Sequence, residues 1–130
     1  MSYNQLVATT MLRIDPEKFN HDEMVKRFLE ETLPEHDPFG EFKEWSEEEK
    51  KKLVDDYVVI NDEIVQISFD TEECNNWSEV QEAFVDAFLP QMVGPHAINK
   101  GCCIDSREGV DVWINKITPD GSWIDMDLTV

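Results

Sequence analysis

The sequence predicts an α+β fold: one small domain with about three helices on one face of an antiparallel sheet of about 4–5 strands, ordered β-α-α-ββ-α-ββ. Three observations carry this. The chain has 130 residues, the size of a single domain with one core. Its apolar share of 41%, including seven Phe, four Trp and two Tyr, is too high for a disordered acidic tail. Segments of period-two and period-3.6 hydrophobicity follow one another, separated by proline, glycine and asparagine.

Residues 5–14, QLVATTMLRI, alternate as a strand with Leu6, Ala8, Leu12 and Ile14 on one face, and Asp15-Pro16 ends it. Asn20 then reads as a helix N-cap with Glu23 three residues on. Met24, Val25, Phe28, Leu29 and Leu33 make one apolar stripe, so the first helix spans about 21–33 and stops at Pro34. The stretch 34–45 reads as a loop whose Phe39, Phe42 and Trp45 dock on the core. Ser46-x-x-Glu49 is a capping box for a second helix that buries Leu53, Val54 and Tyr57. A hairpin follows, Tyr57–Ile60 and Glu63–Phe69, turning at Asn61-Asp62. The third helix starts near residues 76–78 and ends before Pro90, with Val80, Phe84, Ala87 and Phe88 inward. Pro90, Gly94, Pro95 and Gly101 make 90–101 read as irregular.

At the C-terminus, Thr118-Pro119-Asp120-Gly121 suits a type I turn followed by a left-handed glycine, the three-residue bulged hairpin loop. That loop sets Thr118 opposite Ser122 and Ile114 opposite Met126, which gathers Val112, Ile114, Ile124, Met126 and Leu128 on one face. The other face then displays Asp111, Trp113, Asn115, Trp123, Asp125 and Asp127, either under a helix or loop or as a binding surface rich in tryptophan.

No run of 18 apolar residues exists for a membrane span, and the N-terminus lacks the pattern of a signal peptide. Cys74, Cys102 and Cys103 are expected as reduced thiols of a cytoplasmic protein. His21, His36 and His96 show no ligand spacing, and no glycine-rich phosphate loop or Gly-x-Ser-x-Gly elbow occurs. The reading therefore assigns no catalytic residue, no metal site and no cofactor. Asp111, Asp125 and Asp127 keep open one other class, a metal-dependent hydrolase.

Charge is the main functional signal. The net charge is −18, from 29 acids and 11 bases, which disfavours nucleic acid or an anionic membrane as a direct ligand and favours a basic partner. Spread evenly over roughly 7,000 Å² of surface, that is one charge per ~390 Å², several-fold more dilute than the ~110 Å² per charge of duplex DNA. Only segregation could imitate a polyanion. Residues 54–99 hold ten acids and no lysine or arginine, and Glu79, Glu82 and Asp86 fall on one helix stripe at i, i+3 and i+7.

These features point to a non-enzymatic acidic protein that blocks a basic, nucleic-acid-binding site on a partner by presenting carboxylates where phosphates would lie. That is the logic of anti-CRISPR, antirestriction and other phage anti-defence inhibitors, to which this chain compares in size and charge alone. Such a protein works in the host cytoplasm. A toxin-immunity protein or antitoxin that neutralises a basic nuclease fits the same features, and a homodimer is left open. The partner-binding residues are expected to be Asp70, Glu72, Glu73, Glu79, Glu82 and Asp86. A second patch comprises Asp111, Trp113, Trp123, Asp125 and Asp127.

Overall fold

Strand β1 (Asn4–Ile14) runs through the middle of the sheet, and its inward residues Leu6, Ala8, Thr10, Leu12 and Ile14 are at most 2% exposed. This is the computed structural model of the chain, which describes residues 4–37, 40, 42–71, 75–105 and 109–126. The other strands are β2 (Val58–Asn61), β3 (Ile64–Thr71), β4 (Met92–Asp105), β5 (Gly109–Ile117) and β6 (Trp123–Asp125). They form one six-stranded antiparallel sheet in the order β2-β3-β1-β4-β5-β6.

Three helices cover one face. Helix α1 comprises His21–Arg27, a π-helical stretch Phe28–Thr32 and a last turn Leu33–Glu35. Helix α2 is Glu47–Tyr57 and helix α3 is Asn75–Phe88. The core lies between helices and sheet, where Phe28 stacks on Phe84 at 4.2 Å and Tyr57 stacks on Phe69 at 4.7 Å. Phe42 is buried and Trp45 packs edge-on against it, so that segment docks as expected. Phe39 lies outside the described residues.

The capping signals are realised almost as written. Asn20 accepts from the Glu23 N–H, while its own N–H donates to Gln91 Oε1 rather than to Glu23. The Ser46–Glu49 box is complete in both directions. Pro34, however, does not end the first helix, which continues to Glu35. An α-helical proline lacks its N–H and crowds the carbonyl four residues back. Here the preceding turn is widened: Leu33 N–H bonds to the Phe28 carbonyl five residues back, and this π register accommodates the ring.

Register explains the other departures. The first hairpin pairs Asn61 with Ile64, so its turn is Asp62-Glu63, one residue later than expected, and Asp62 takes φ of +53°. Residues 92–105 form a long strand, not an irregular segment. Its breakers sit where the strand is bulged: β1 pairs Arg13 with Val93 but Met11 with Ile98, and β5 begins pairing only at Ala97. Gly94 (φ +93°) and Pro95 occupy that gap and cost no ladder bond.

The C-terminal hairpin has the expected register. Gly121 N–H bonds to Thr118 carbonyl, Thr118 N–H to Ser122 carbonyl and Met126 N–H to Ile114 carbonyl, with Gly121 at φ of +90°. Of the two readings of its tryptophan face, cover by the helices is the one realised. Val112, Ile124 and Met126 are 56%, 49% and 41% exposed, and the Trp113–Asn115–Ile117 side faces the helices, with Ile117 fully buried. Two indoles plus Ile117 offer more apolar area than Val112, Ile114 and Ile124, so that side takes the cover. Alternation also separates the cysteines: Cys102 is a free thiol on the outer face, whereas Cys103, on the helix side, is disulfide-bonded, contrary to the expectation of reduced thiols. Among the described residues no helix is long and apolar enough to cross a membrane.

Candidate functional site

Helix α3 turns Val80, Phe84, Ala87 and Phe88 into the core, which leaves Glu79, Glu82 and Asp86 on its solvent side. Three carboxylates so placed repel one another, and α3 has no lysine or arginine to relieve them. The relief comes from the end of α1. His36 lies across the stripe, with Nδ1 at 3.1 Å from Glu79 and 3.5 Å from Glu82, and Nε2 at 2.7 Å from Asp86. Arg27 adds a bond from Nε to the Asp86 carbonyl.

Burial alone would lower the His36 pKa. Hydrogen bonds to Asp86 and Glu79, with the charges of Asp86 and Glu82, outweigh it and hold the imidazole above its usual value. The Glu82 carboxyl is pushed up by burial and by Glu79 and Asp86, against an opposing pull from His36. Donor atoms of His36, Glu79 and Glu82 lie within 4.8 Å of one another, so a divalent cation could replace the imidazolium proton there.

Next to this cluster, on the same helix, Gln81 heads a row of buried amides that sequence reading missed. Strand register aligns Thr10, Asn99, Asn115 and Asp125 across β1, β4, β5 and β6. Gln81 Nε2 donates to Thr10 Oγ1 at 2.8 Å and to Asn99 Oδ1 at 2.7 Å, and Thr10 donates to the same Oδ1 at 3.0 Å. Asn99 Nδ2 donates to Asn115 Oδ1 at 3.1 Å, and Asn115 Nδ2 to Asp125 Oδ1 at 2.6 Å. Four polar residues at one level of four adjacent strands would have been the signal, but it needs a strand at 92–105.

Above these amides is a cleft of about 290 Å³, lined by Gln81, Glu82, Asn99, Trp113, Asn115 and Trp123. Trp113 packs closely against Gly101, where an added Cβ would come within 2.7 Å of the indole and 2.8 Å of the Val7 carbonyl. Trp123 packs its inner side on the core. Through Glu82, the α3 stripe and the Trp113/Trp123 face become one continuous surface, although the sequence suggests two separate patches.

The remaining candidates are dispersed. Asp70 lies across the sheet from α3, paired in register with Val7, and accepts a bond from Gln5 Nε2 at 2.7 Å. Asp111 pairs with Cys103 and Asp125 with Asn115, so four residues of β5, roughly 13 Å, separate the two carboxylates. That distance rules out a shared cation between them in this arrangement. Glu72, Glu73 and Asp127 lie outside the described residues.

Charge is unevenly distributed over the two sides. Among the described residues the outer sheet face carries Arg13, Lys100 and Lys116 against Asp70 and against Glu63, whose carboxylate pairs with Arg13 at 2.8 Å. A groove of about 400 Å³ between α1 and α2 is lined by four acids, Asp22, Glu30, Glu47 and Asp55, and two lysines, Lys26 and Lys51. No family model, curated protein or solved structure matches this chain.

Proposed function

We propose that this chain is a non-enzymatic, acidic interaction protein that binds a basic, nucleic-acid-binding face of a partner protein and blocks it. The observation that carries this reading is the continuous surface formed by Glu79, Glu82 and Asp86 with Trp113 and Trp123, on the helix side of the sheet. Tryptophan is enriched among interface hot spots, and the neighbouring carboxylates supply the charge complement to a basic surface.

Magnitudes refine how the acid acts. Among the described residues the outer face is about +1, so the −18 total leaves about −19 elsewhere. If that is roughly two-thirds of the 8,244 Å² surface, one charge falls per ~290 Å², more than twice as dilute as the ~110 Å² of duplex DNA. Steering of a basic partner toward a local anchor fits this density better than replication of a whole duplex. A nuclease toxin would meet the same surface, so neutralising one is a special case of the same chemistry.

Capture from host lysate at low and at high salt tests the reading. Basic, nucleic-acid-binding proteins retained at low salt and released at high salt are expected. Recovery of none at low salt would overturn it.

A further inference from the structure

The direction of the amide row has a consequence at the cleft. An ionised carboxylate only accepts hydrogen bonds, so Asp125 forces Asn115 to present its Nδ2. Asn115 Oδ1 must then face Asn99 Nδ2, and Asn99 Oδ1 must face Thr10 and Gln81. Gln81 in turn spends both Nε2 hydrogens inward, on Thr10 and Asn99. Its carbonyl oxygen is left over.

Gln81 is only 3% exposed, and Oε1 accepts no hydrogen bond among the described residues. Among the described residues no fully buried side-chain oxygen or nitrogen is without a partner, so this oxygen opens on the cleft that Gln81 lines. A nearly buried acceptor without a donor is costly, and it stands beside the Glu82 carboxylate and two indoles. Gln81 Oε1 and the Glu82 carboxylate both call for a donor or a positive charge, while the two indole N–H groups that share the lining are donors only.

We propose that the cleft lined by Trp113, Trp123, Gln81 and Glu82 is a receptor for a single arginine side chain of the partner, its guanidinium stacked on an indole and donating to Gln81 Oε1 and Glu82. Guanidinium suits the site better than ammonium because it is planar, stacks on tryptophan and carries donors in a fixed fork. At about 290 Å³ the cleft fits a side chain and is at the lower limit for a small-molecule cofactor. The site deepens the proposed binding of a basic partner and rests on that reading for its biological meaning.

The test is an NMR titration of the ¹⁵N-labelled full chain with N-acetyl-arginine methylamide and, separately, with its uncharged citrulline counterpart. The indole N–H signals of Trp113 and Trp123 should shift with the arginine compound, saturating in the low-millimolar range, and stay in place with citrulline. Glu82→Gln and Trp123→Phe should each weaken binding about fivefold or more. Asp125→Asn, which frees the amide row to reverse, should weaken it without unfolding the protein, as judged by the backbone spectrum. Equal shifts with arginine and citrulline, or shifts confined to other indoles, overturn the assignment even if a basic partner is captured from lysate. Conversely, arginine-specific shifts without any captured partner sustain the cleft and sink the partner reading alone.

Discussion

Replacing His36 with glutamine isolates what the imidazolium does for helix α3. The charged ring touches three carboxylates, at 2.7 Å (Asp86), 3.1 Å (Glu79) and 3.5 Å (Glu82), and its side chain is only 20% exposed. Charge-assisted hydrogen bonds contribute about 1.5–3 kcal/mol when sheltered, and solvent at the partly exposed carboxylates reduces that. Glutamine can still donate to one carboxylate but supplies no charge, so the expected loss at pH 6 is about 2 kcal/mol. The pH dependence carries the sign. Folding raises the His36 pKa, so its contribution is complete below the ordinary value near 6.5 and disappears as pH rises through the raised value. Chemical denaturation at pH 6 and pH 9 should therefore show the His36→Gln difference shrinking several-fold at the higher pH. An equal difference at both values would mean that His36 acts by packing alone, and the explanation of the stripe would be wrong.

Three further outcomes follow from the same contacts. Gly101→Ala places a methyl 2.7 Å from Trp113 and 2.8 Å from a backbone oxygen that cannot move away; a loss of about 1–3 kcal/mol and an altered Trp113 environment by near-UV circular dichroism are expected. Asn99→Ala leaves donors on Gln81 and Thr10 and an acceptor on Asn115 without partners, so urea denaturation should report a loss of about 3 kcal/mol. Phe84→Ala removes the ring stacked at 4.2 Å on Phe28 from a fully buried site, and thermal melting should register about 3–5 kcal/mol.

Local chemistry made much of the fold legible. The Asn20 and Ser46 caps, the inward set of α3 and the register of the 118–122 hairpin each depend on a few adjacent residues, and these residues determine them. What failed depends on distant partners. Gly94 and Pro95 argue against a strand unless a bulge opposite Met11–Arg13 receives them. Which face of the last hairpin is covered depends on where α3 lies, and alternation alone is silent on that. The stripe Glu79–Glu82–Asp86 was readable, but its counter-ion is 43 to 50 residues earlier in the chain, at His36. Three lysines on the stripe would surround His36 with like charge, so neutral Gln and Asn are the informative replacements there.

The most direct measurement of the central claim is the affinity of a captured basic partner for the wild-type chain and for the Glu79→Gln/Glu82→Gln/Asp86→Asn variant across ionic strength. The wild type should bind with a steep loss of affinity as salt rises, mainly through a slower association rate. The variant should bind at least tenfold more weakly at low salt, with a shallower slope and an unchanged fold. Equal affinity and equal salt slope for the two proteins would place the interface away from helix α3 and contradict the account.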